Sequence, residues 1–335
     1  MIYYRVITLL FLSLSVSCSS ISSYKIINKE GFEEGQEITE QSKFLVSSMA
    51  NASRKLHDIA WPIMISNLDS CQNSKINAFG LMIAHLEDIP SSLAPSFYAA
   101  SPINSLINSK ADLPMIVSVA KDSPADRAKI IEGDLIISIN NSIVSYKNYK
   151  RLLDDAAQKG SLKIRIKRLE EEIIYELESE LICGYPVQAM ISPIPNAYAD
   201  GSKIYITIAT LDFIKDDQEI AFLIAHELAH NIHHYKGEAL YESQGNPLAI
   251  EEKPSLQKIT DLLIFQTEEK ETEADLYGVE FAIKAGIAQD KVANYFRRLT
   301  IYMPQLMKNS FFRMHPGNAK RVADIERKLK ELNSN

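Results

Sequence analysis

Residues 216–235 of this 335-residue chain read DDQEIAFLIAHELAHNIHHY. Asp216 and Glu219 have the spacing of a capping box, in which two side chains satisfy free backbone N–H groups at the start of a helix. The pattern therefore predicts a helix that begins here and runs to about Tyr235.

A metal-binding motif lies inside this predicted helix, where residues 226–230 read His-Glu-Leu-Ala-His. His226 and His230 are one turn apart and face the same way, so both imidazoles can reach one ion. Glu227 lies beside them, where its carboxylate can take a proton from an attacking water. Two surface histidines on an ordinary helix are the alternative reading. With seven histidines in the chain, chance gives this pattern in roughly one such sequence in a hundred.

A catalytic zinc ion needs a third protein ligand and an open fourth position. His233 continues the same helix face, but it lies about 10 Å along the axis from His226, too far for both rings to bind one tetrahedral ion. We therefore interpret His233 and His234 as residues that support the site or lie on the surface.

The next long predicted helix, residues 255–285, contains Glu-Thr-Glu-Ala-Asp at positions 271–275. Glu271 and Asp275 are one turn apart, so one carboxylate can bind zinc while the other holds the ring of a histidine ligand. Glu273 is the competing ligand if the helix register differs. A solvated acidic helix face is the alternative for the whole motif.

Together the two motifs resemble the gluzincin family of the CAAX prenyl proteases, HtpX and the Oma-type peptidases, peptidase family M48. The resemblance covers about residues 186–321 and implies that Glu271 is the third zinc ligand, with Asp275 beside it. Residues 196–201 and the strand after them resemble the edge strand along which substrate lies. His315, with Arg321, resembles the late His-Pro motif, whose histidine comes near the metal.

The region between Cys71 and Cys183 has a different, strand-rich pattern. It predicts strands at residues 79–83, 115–119, 134–139 and 162–166, and a helix at 146–157. Residues 117–140 resemble the second half of a bacterial PDZ domain, although Lys129 replaces a usual glycine. Such a domain binds an extended peptide at a sheet edge, but the loop for the ligand's carboxylate is not identified by the sequence. A small structural sandwich without a ligand is the alternative.

The N-terminus has the pattern of a signal peptide, with an apolar run over residues 6–16 that is too short to span a bilayer comfortably. Cys18 resembles the lipidation site of a bacterial lipoprotein, and Ser19 resembles an outer-membrane sorting signal; simple cleavage near Ser17 is the alternative. We expect a protein of the cell envelope, either a periplasmic outer-membrane lipoprotein or a secreted one. Its only membrane attachment would be this N-terminal lipid.

Cys71 and Cys183 form an even pair that flanks the strand-rich region, which predicts a disulfide in an oxidising compartment. Two unrelated buried thiols are the alternative. A net charge of −7 without a basic stripe argues against nucleic-acid binding.

The sequence thus predicts an α+β chain with a mainly helical, zincin-type peptidase domain, a small sheet, and an inserted β-rich PDZ-like domain. The expected segments are a signal peptide (1–17), a tether (18–36), a helical part of the peptidase domain (37–75), the PDZ-like domain (76–182) and the zinc metallopeptidase domain (183–335). Further predicted elements are a helix over 38–68 interrupted at Trp61-Pro62, a strand over 203–210, and helices over 290–303 and 318–332.

The predicted function is zinc-dependent endoproteolysis of envelope or misfolded proteins, with Zn²⁺ on His226, His230 and Glu271. Glu227 deprotonates the attacking water, with His315 as an additional catalytic candidate, and the substrate pairs as an extra strand with residues 203–210. Expected partners are protein or peptide substrates and a peptide ligand of the PDZ-like groove. The alternative is a non-catalytic binding or adaptor protein with a latent or structural zinc site.

Overall fold

The computed structural model describes residues 30–72, 74–103, 112–235, 237–251, 267–302 and 318–334. Cys18 and His315 therefore lie outside the described residues. The chain divides into two compact units, residues 1–40 and residues 41–335. In the first unit the described residues are helical, and the Thr39 hydroxyl donates to the Gly35 carbonyl at 2.9 Å. Helical structure therefore replaces the last part of the predicted tether.

The fold is α+β. The described helices are α1 (Glu30–Ser66), α2 (Pro124–Arg127), α3 (Tyr149–Lys159), α4 (Ile208–Phe213), α5 (Asp217–Ala229), α6 (Glu268–Lys284), α7 (Ala293–Tyr302) and α8 (Asn318–Asn333). The described strands are β1 (Lys75–Ala78), β2 (Leu81–Ala84), β3 (Met115–Val119), β4 (Leu135–Ile139), β5 (Ser142–Ile143), β6 (Ser161–Arg168), β7 (Glu171–Glu178), β8 (Glu180–Cys183), β9 (Val187–Met190), β10 (Ala197–Ala199) and β11 (Ile204–Thr207).

Helix α1 continues through Pro62, so the predicted interruption at Trp61-Pro62 is wrong. Proline lacks an N–H and normally disturbs a helix interior. Here Trp61, Ile63 and Met64 are all buried in the main core. The packing of these neighbours holds the helix together despite the missing hydrogen bond.

The strand-rich region forms an antiparallel sheet with strand order β2-β3-β4-β6-β7, and β5 pairs with β4. Its own core includes Phe79, Tyr149 and Ile164, so helix α3 packs against the sheet. Strand β2 lies at one edge. At the other edge, β7 was not predicted because half of its residues are glutamates. It is held by pairing along β6, with Lys163 2.8 Å from Glu176.

A disulfide and a short ladder close the base of this region. Strands β1 and β8 are antiparallel, with Lys75 opposite Cys183. Cys71 and Cys183 are joined by a disulfide with their Cα atoms 5.7 Å apart. The strand-rich region therefore starts and ends side by side on the rest of the second unit.

The second sheet has the order β10-β11-β9, with β11 antiparallel to β10 and parallel to β9. The predicted strand over 203–210 is too long, because β11 ends at Thr207, whose hydroxyl caps α4 by accepting from the Thr210 N–H. Since β11 lies between two strands, its backbone groups are already paired. The prediction that a substrate adds to residues 203–210 is therefore wrong, and β10 is an edge of this sheet.

The remaining predicted helices are observed with shifted ends, as in α7 and α8. The predicted helix over 255–285 is seen as α6 from Glu268 onward, and its first part lies outside the described residues. Among the helices that the structure describes, none has the length and apolar character needed to cross a membrane.

Candidate active site

Helix α5 presents the first part of the site. Asp216 caps it by accepting from the Gln218 N–H at 3.0 Å. Glu219 is buried and pairs with Arg298, so the reciprocal half of the predicted capping box is not formed. After Ala229 the chain continues as a π-helical turn over His230–His234, a feature often found at functional sites.

Three side chains from two helices converge on one point. His226 and His230 on α5 and its π turn place their Nε2 atoms 3.1 Å apart. Glu271 on α6 approaches both rings: its Oε2 atom is 3.5 Å from His226 Nε2 and its Oε1 atom is 3.4 Å from His230 Nε2. All three residues are buried and could hold a metal ion.

The spacing of these ligand atoms fits zinc. An ion with Zn–N and Zn–O bonds of about 2.0–2.1 Å and tetrahedral angles separates its ligand atoms by about 3.3 Å. The two imidazole nitrogens are 3.1 Å apart, and they lie 3.5 and 3.4 Å from different oxygens of the Glu271 carboxylate, so each separation is near that value. Glu227 lies in the same buried site, and its Oε1 atom has no hydrogen-bond partner within the described part of the chain. A buried carboxylate oxygen of this kind needs a bound species to satisfy it.

Close approach of the two helices makes this convergence possible. Gly278 on α6 lies against the backbone of His226, where a Cβ atom would come 3.0 Å from the His226 nitrogen. Ala274, one turn before it, is also buried. The small residues let the α6 carboxylates reach the imidazoles of α5.

Asp275 and Arg321 hold the outer side of His226. Asp275 Oδ1 lies 3.0 Å from His226 Nδ1, which favours a proton on Nδ1 and leaves Nε2 free to bind a cation. Arg321, from α8, donates to both Asp275 oxygens at 2.6 Å, and its Nη1 atom is 3.1 Å from Glu271. One buried guanidinium thus braces two acidic residues of the site.

A second chain of contacts holds His230 through His234, which the sequence left as either a supporting or a surface residue. His230 Nδ1 lies 2.8 Å from His234 Nδ1, and His234 Nε2 lies 3.0 Å from Glu273. Glu273 is therefore not in the ligand group, although it was the competing candidate; it acts on His230 through His234. His233 instead stacks on the ring of Tyr277, with centroids 4.1 Å apart.

The charges of the site favour a cation. Burial opposes a charged His226 ring, but the hydrogen bonds that the ring donates to Asp275 and Glu271 outweigh it and raise the pKa of His226 to about 10. Burial would raise the pKa of Asp275, but the charge and hydrogen bonds of Arg321 lower it below its usual range. Burial lowers the pKa of His230. The site therefore attracts positive charge, and a metal ion would compete with a proton for His226.

Asn231 connects the metal-binding helix with the small sheet and was missed by sequence reasoning. Its Oδ1 atom accepts from the Gly201 N–H at 2.7 Å, and its Nδ2 atom donates to the Lys203 carbonyl at 3.2 Å. These bonds hold the turn between β10 and β11 beside the site. The only sequence signal is the position of Asn231 directly after His230.

Two histidines and a glutamate on adjacent helices, with a second buried glutamate beside them, define a metallopeptidase site. Comparison with protein families agrees with this class. The profile of Peptidase family M48 matches residues 157–253 and 251–329, more than half of the chain. The chain belongs to this family. A PDZ domain profile matches residues 115–168, so the strand-rich region contains a PDZ domain.

Two solved structures of HtrA proteins are similar to part of the chain. The HtrA3 PDZ domain bound to a phage-derived ligand is 18% identical, over 33% of this chain and 91% of that one, with a TM-score of 0.24. The HtrA-type protease AlgW with a decapeptide is 20% identical, over 32% of this chain and 30% of that one, with a TM-score of 0.25. Comparison with curated proteins finds no match.

Proposed function

We propose that this metallopeptidase is a zinc-dependent endopeptidase that cleaves proteins of the bacterial cell envelope, including misfolded ones. The observation that carries the proposal is the 3.1–3.5 Å spacing among the Nε2 atoms of His226 and His230 and the two carboxylate oxygens of Glu271, together with the buried carboxylate of Glu227 beside them. A structural zinc site needs no such additional acid.

His226, His230 and Glu271 would hold the zinc ion, which supplies a Lewis acid that activates water and polarises the scissile carbonyl. Glu227 accepts the proton of the attacking water on its carboxylate and then delivers it to the leaving amine. Asp275 keeps the proton of His226 on Nδ1, so that Nε2 is free to bind a cation. His315 remains an additional catalytic candidate on the basis of the family resemblance alone.

The substrate would bind beside β10 rather than β11. Strand β10 is an edge of its sheet and contacts helix α5, which carries two of the three candidate ligands. An extended peptide that adds to this edge makes main-chain hydrogen bonds, which place few demands on its sequence. Such binding suits a peptidase that acts on varied or misfolded chains.

We also propose that the PDZ domain binds a peptide ligand and that the protein lies in the cell envelope. The Cys71–Cys183 disulfide supports an oxidising compartment. In this proposal, residues 1–17 are removed and the protein is attached to the membrane through a lipid on Cys18. Mass spectrometry of the mature N-terminus after expression in a Gram-negative host distinguishes a lipidated Cys18 from cleavage near Ser17.

Casein digestion tests the catalytic proposal. The wild type should cleave in the presence of zinc, stop with a chelator and recover when zinc is restored. Glu227→Gln should retain zinc by elemental analysis but lose activity by about 10²-fold or more, whereas Glu269→Gln, an exposed residue on α6, should behave like the wild type. Equal rates for wild type and Glu227→Gln would refute the role of Glu227. A zinc-loaded wild type that binds peptides without cleaving any would favour the adaptor alternative.

A further inference from the structure

The PDZ domain has a carboxylate already bound to three successive backbone N–H groups. The side chain of Glu242 accepts from the Phe79 N–H at 3.0 Å through Oε2, and from the Gly80 and Leu81 N–H groups at 2.6 and 3.2 Å through Oε1. Consecutive N–H groups that converge in this way form an anion-binding concavity. Both oxygens of one carboxylate are therefore satisfied by this loop.

The loop is built to hold that arrangement. Gly80 has φ +79°, and a Cβ atom there would lie 2.1 Å from Ser123 Cβ, so a side chain at this position would force the loop open. The Gly80 carbonyl accepts from the Ala120 N–H at 3.0 Å, and the Phe79 carbonyl accepts from the Ala125 N–H at 3.0 Å. These two carbonyls share peptide planes with the Gly80 and Leu81 N–H groups, so two of the three donors are held in place from the opposite side.

The position of the loop matches a peptide groove. Residues 79–81 lead directly into β2, the edge strand of the PDZ sheet. The short 3₁₀ turn Glu242–Gln244 contacts both β2 and α3, and the Ser243 hydroxyl bonds to Asp154 on α3. A PDZ domain takes an extended peptide along such an edge, with the terminal carboxylate captured by backbone N–H groups. Glu242 therefore lies at the end of the groove where a ligand's carboxylate would bind.

The N–H groups of Phe79, Gly80 and Leu81 lie where a PDZ domain captures the free C-terminus of a peptide, and we infer that Glu242 occupies this position as an internal competitor. The inference rests on the proposed peptide binding by the PDZ domain and adds an internal competitor for the ligand's carboxylate. The ligand is an extended chain that ends in a free carboxylate, since two oxygens in one plane satisfy all three donors.

The competitor comes from the segment that follows the metal-binding helix. The π turn that carries His230 and His234 ends at residue 234, and the chain then reaches Leu240, whose N–H donates to the Gly184 carbonyl at 2.8 Å. Tyr241, next to Glu242, packs against both the main core and the PDZ core. A peptide that displaces Glu242 therefore also loosens the chain between the metal site and the PDZ domain.

Fluorescence anisotropy tests the inference on the full, zinc-loaded chain in a Glu227→Gln background, which prevents hydrolysis of the probe. The probe is a fluorescein-labelled pentapeptide mixture with four random positions and a C-terminal Val, Leu, Ile or Phe with a free carboxylate; the same mixture with an amidated C-terminus is the control. Glu242→Ala should bind the free-carboxylate mixture at least about tenfold more tightly than the parent, because the competitor is gone. Glu238→Ala, an exposed residue of the same segment, should bind like the parent.

Hydrogen exchange of the parent protein supplies a measurement that needs no variant at residue 242. The free-carboxylate mixture should increase exchange in residues 237–251 and leave residues 79–81 protected, while the amidated mixture should change neither. Equal affinity of the parent and Glu242→Ala, binding of the amidated mixture, or no binding by any variant would each overturn the inference. Casein cleavage by the same chains with Glu227 restored reports the proposed catalytic function separately.

Discussion

Asp275 Oδ1 lies 3.0 Å from Nδ1 of His226, on the side of the ring that faces away from the candidate metal position. Both residues are buried, and Arg321 holds the carboxylate through two bonds of 2.6 Å. The orientation of one candidate ligand therefore depends on helices α6 and α8 together.

Asp275→Asn should weaken zinc binding about 10- to 100-fold, because the amide cannot bond Arg321 and His226 as the carboxylate does. Competition with a fluorescent zinc chelator measures the affinity. Glu269→Gln removes an exposed carboxylate from the same helix and should leave the affinity unchanged. A wild-type affinity in Asp275→Asn would show that Asp275 does not orient the ligand.

Arg321→Met should destabilise the metal-free protein by about 3–5 kcal/mol, because it removes the buried guanidinium that pairs with the carboxylates of Asp275 and Glu271. Zinc should recover part of this loss, since the ion supplies positive charge next to Glu271. Urea unfolding with chelator and with zinc measures both effects. Lys330→Met, on the exposed side of α8, is the control, and an equal loss in both metal states would contradict the prediction.

Reduction of the Cys71–Cys183 disulfide should lower the free energy of unfolding by up to about 5 kcal/mol on the chain-entropy model, because the bond joins residues separated by 112 positions. Urea unfolding with and without a phosphine reductant measures the loss. The double variant Cys71→Ala, Cys183→Ala should show no response to the reductant. If the reductant also left the free energy of unfolding of the wild type unchanged, the disulfide would not restrict the unfolded chain.

Binding of the free-carboxylate peptides should strengthen as the pH rises from 5.5 to 7.5. Burial raises the pKa of Glu242 to about 7 against the opposing effect of its three N–H bonds, whereas a displaced Glu242 in water has its ordinary pKa of 4.5. Displacement therefore releases a proton in this range and is favoured by higher pH. We expect the affinity for the free-carboxylate peptides to change several-fold over this range. Glu242 is only partly buried, so solvent screening reduces the effect of its raised pKa.

The groups around Glu242 define the control for this pH dependence. Asp154 on α3 is nearby, and burial raises its pKa as well. His57 on α1 and Glu242 both line one cavity. Burial lowers the pKa of His57 to about 4, so its ring stays neutral from pH 5.5 to 7.5. Glu242→Ala should therefore lose most of the pH dependence. An unchanged pH profile in that variant would assign the effect to Asp154 or to the peptide.

Features that depend on local spacing were visible in the sequence. The pairs His226 and His230, and Glu271 and Asp275, each lie one helical turn apart, and a helix places residues at that spacing on one face whatever surrounds it. Strand β3 was predicted at its observed bounds, Met115–Val119, because a short apolar run between turns is also a local pattern. The metallopeptidase family and the PDZ domain were recognisable from such patterns.

Features that depend on the whole chain were decided only by the tertiary structure. The sequence of β11 shows only an alternating strand and does not indicate its neighbours. Strands β9 and β10 lie on its two sides, so β11 has no free edge at which a substrate could pair. Nothing local to Glu242 indicates that its carboxylate meets residues 79–81, which lie more than 160 positions earlier. Helical periodicity is a property of neighbouring residues, whereas strand order and long-range hydrogen bonds follow from how all the buried surfaces pack together.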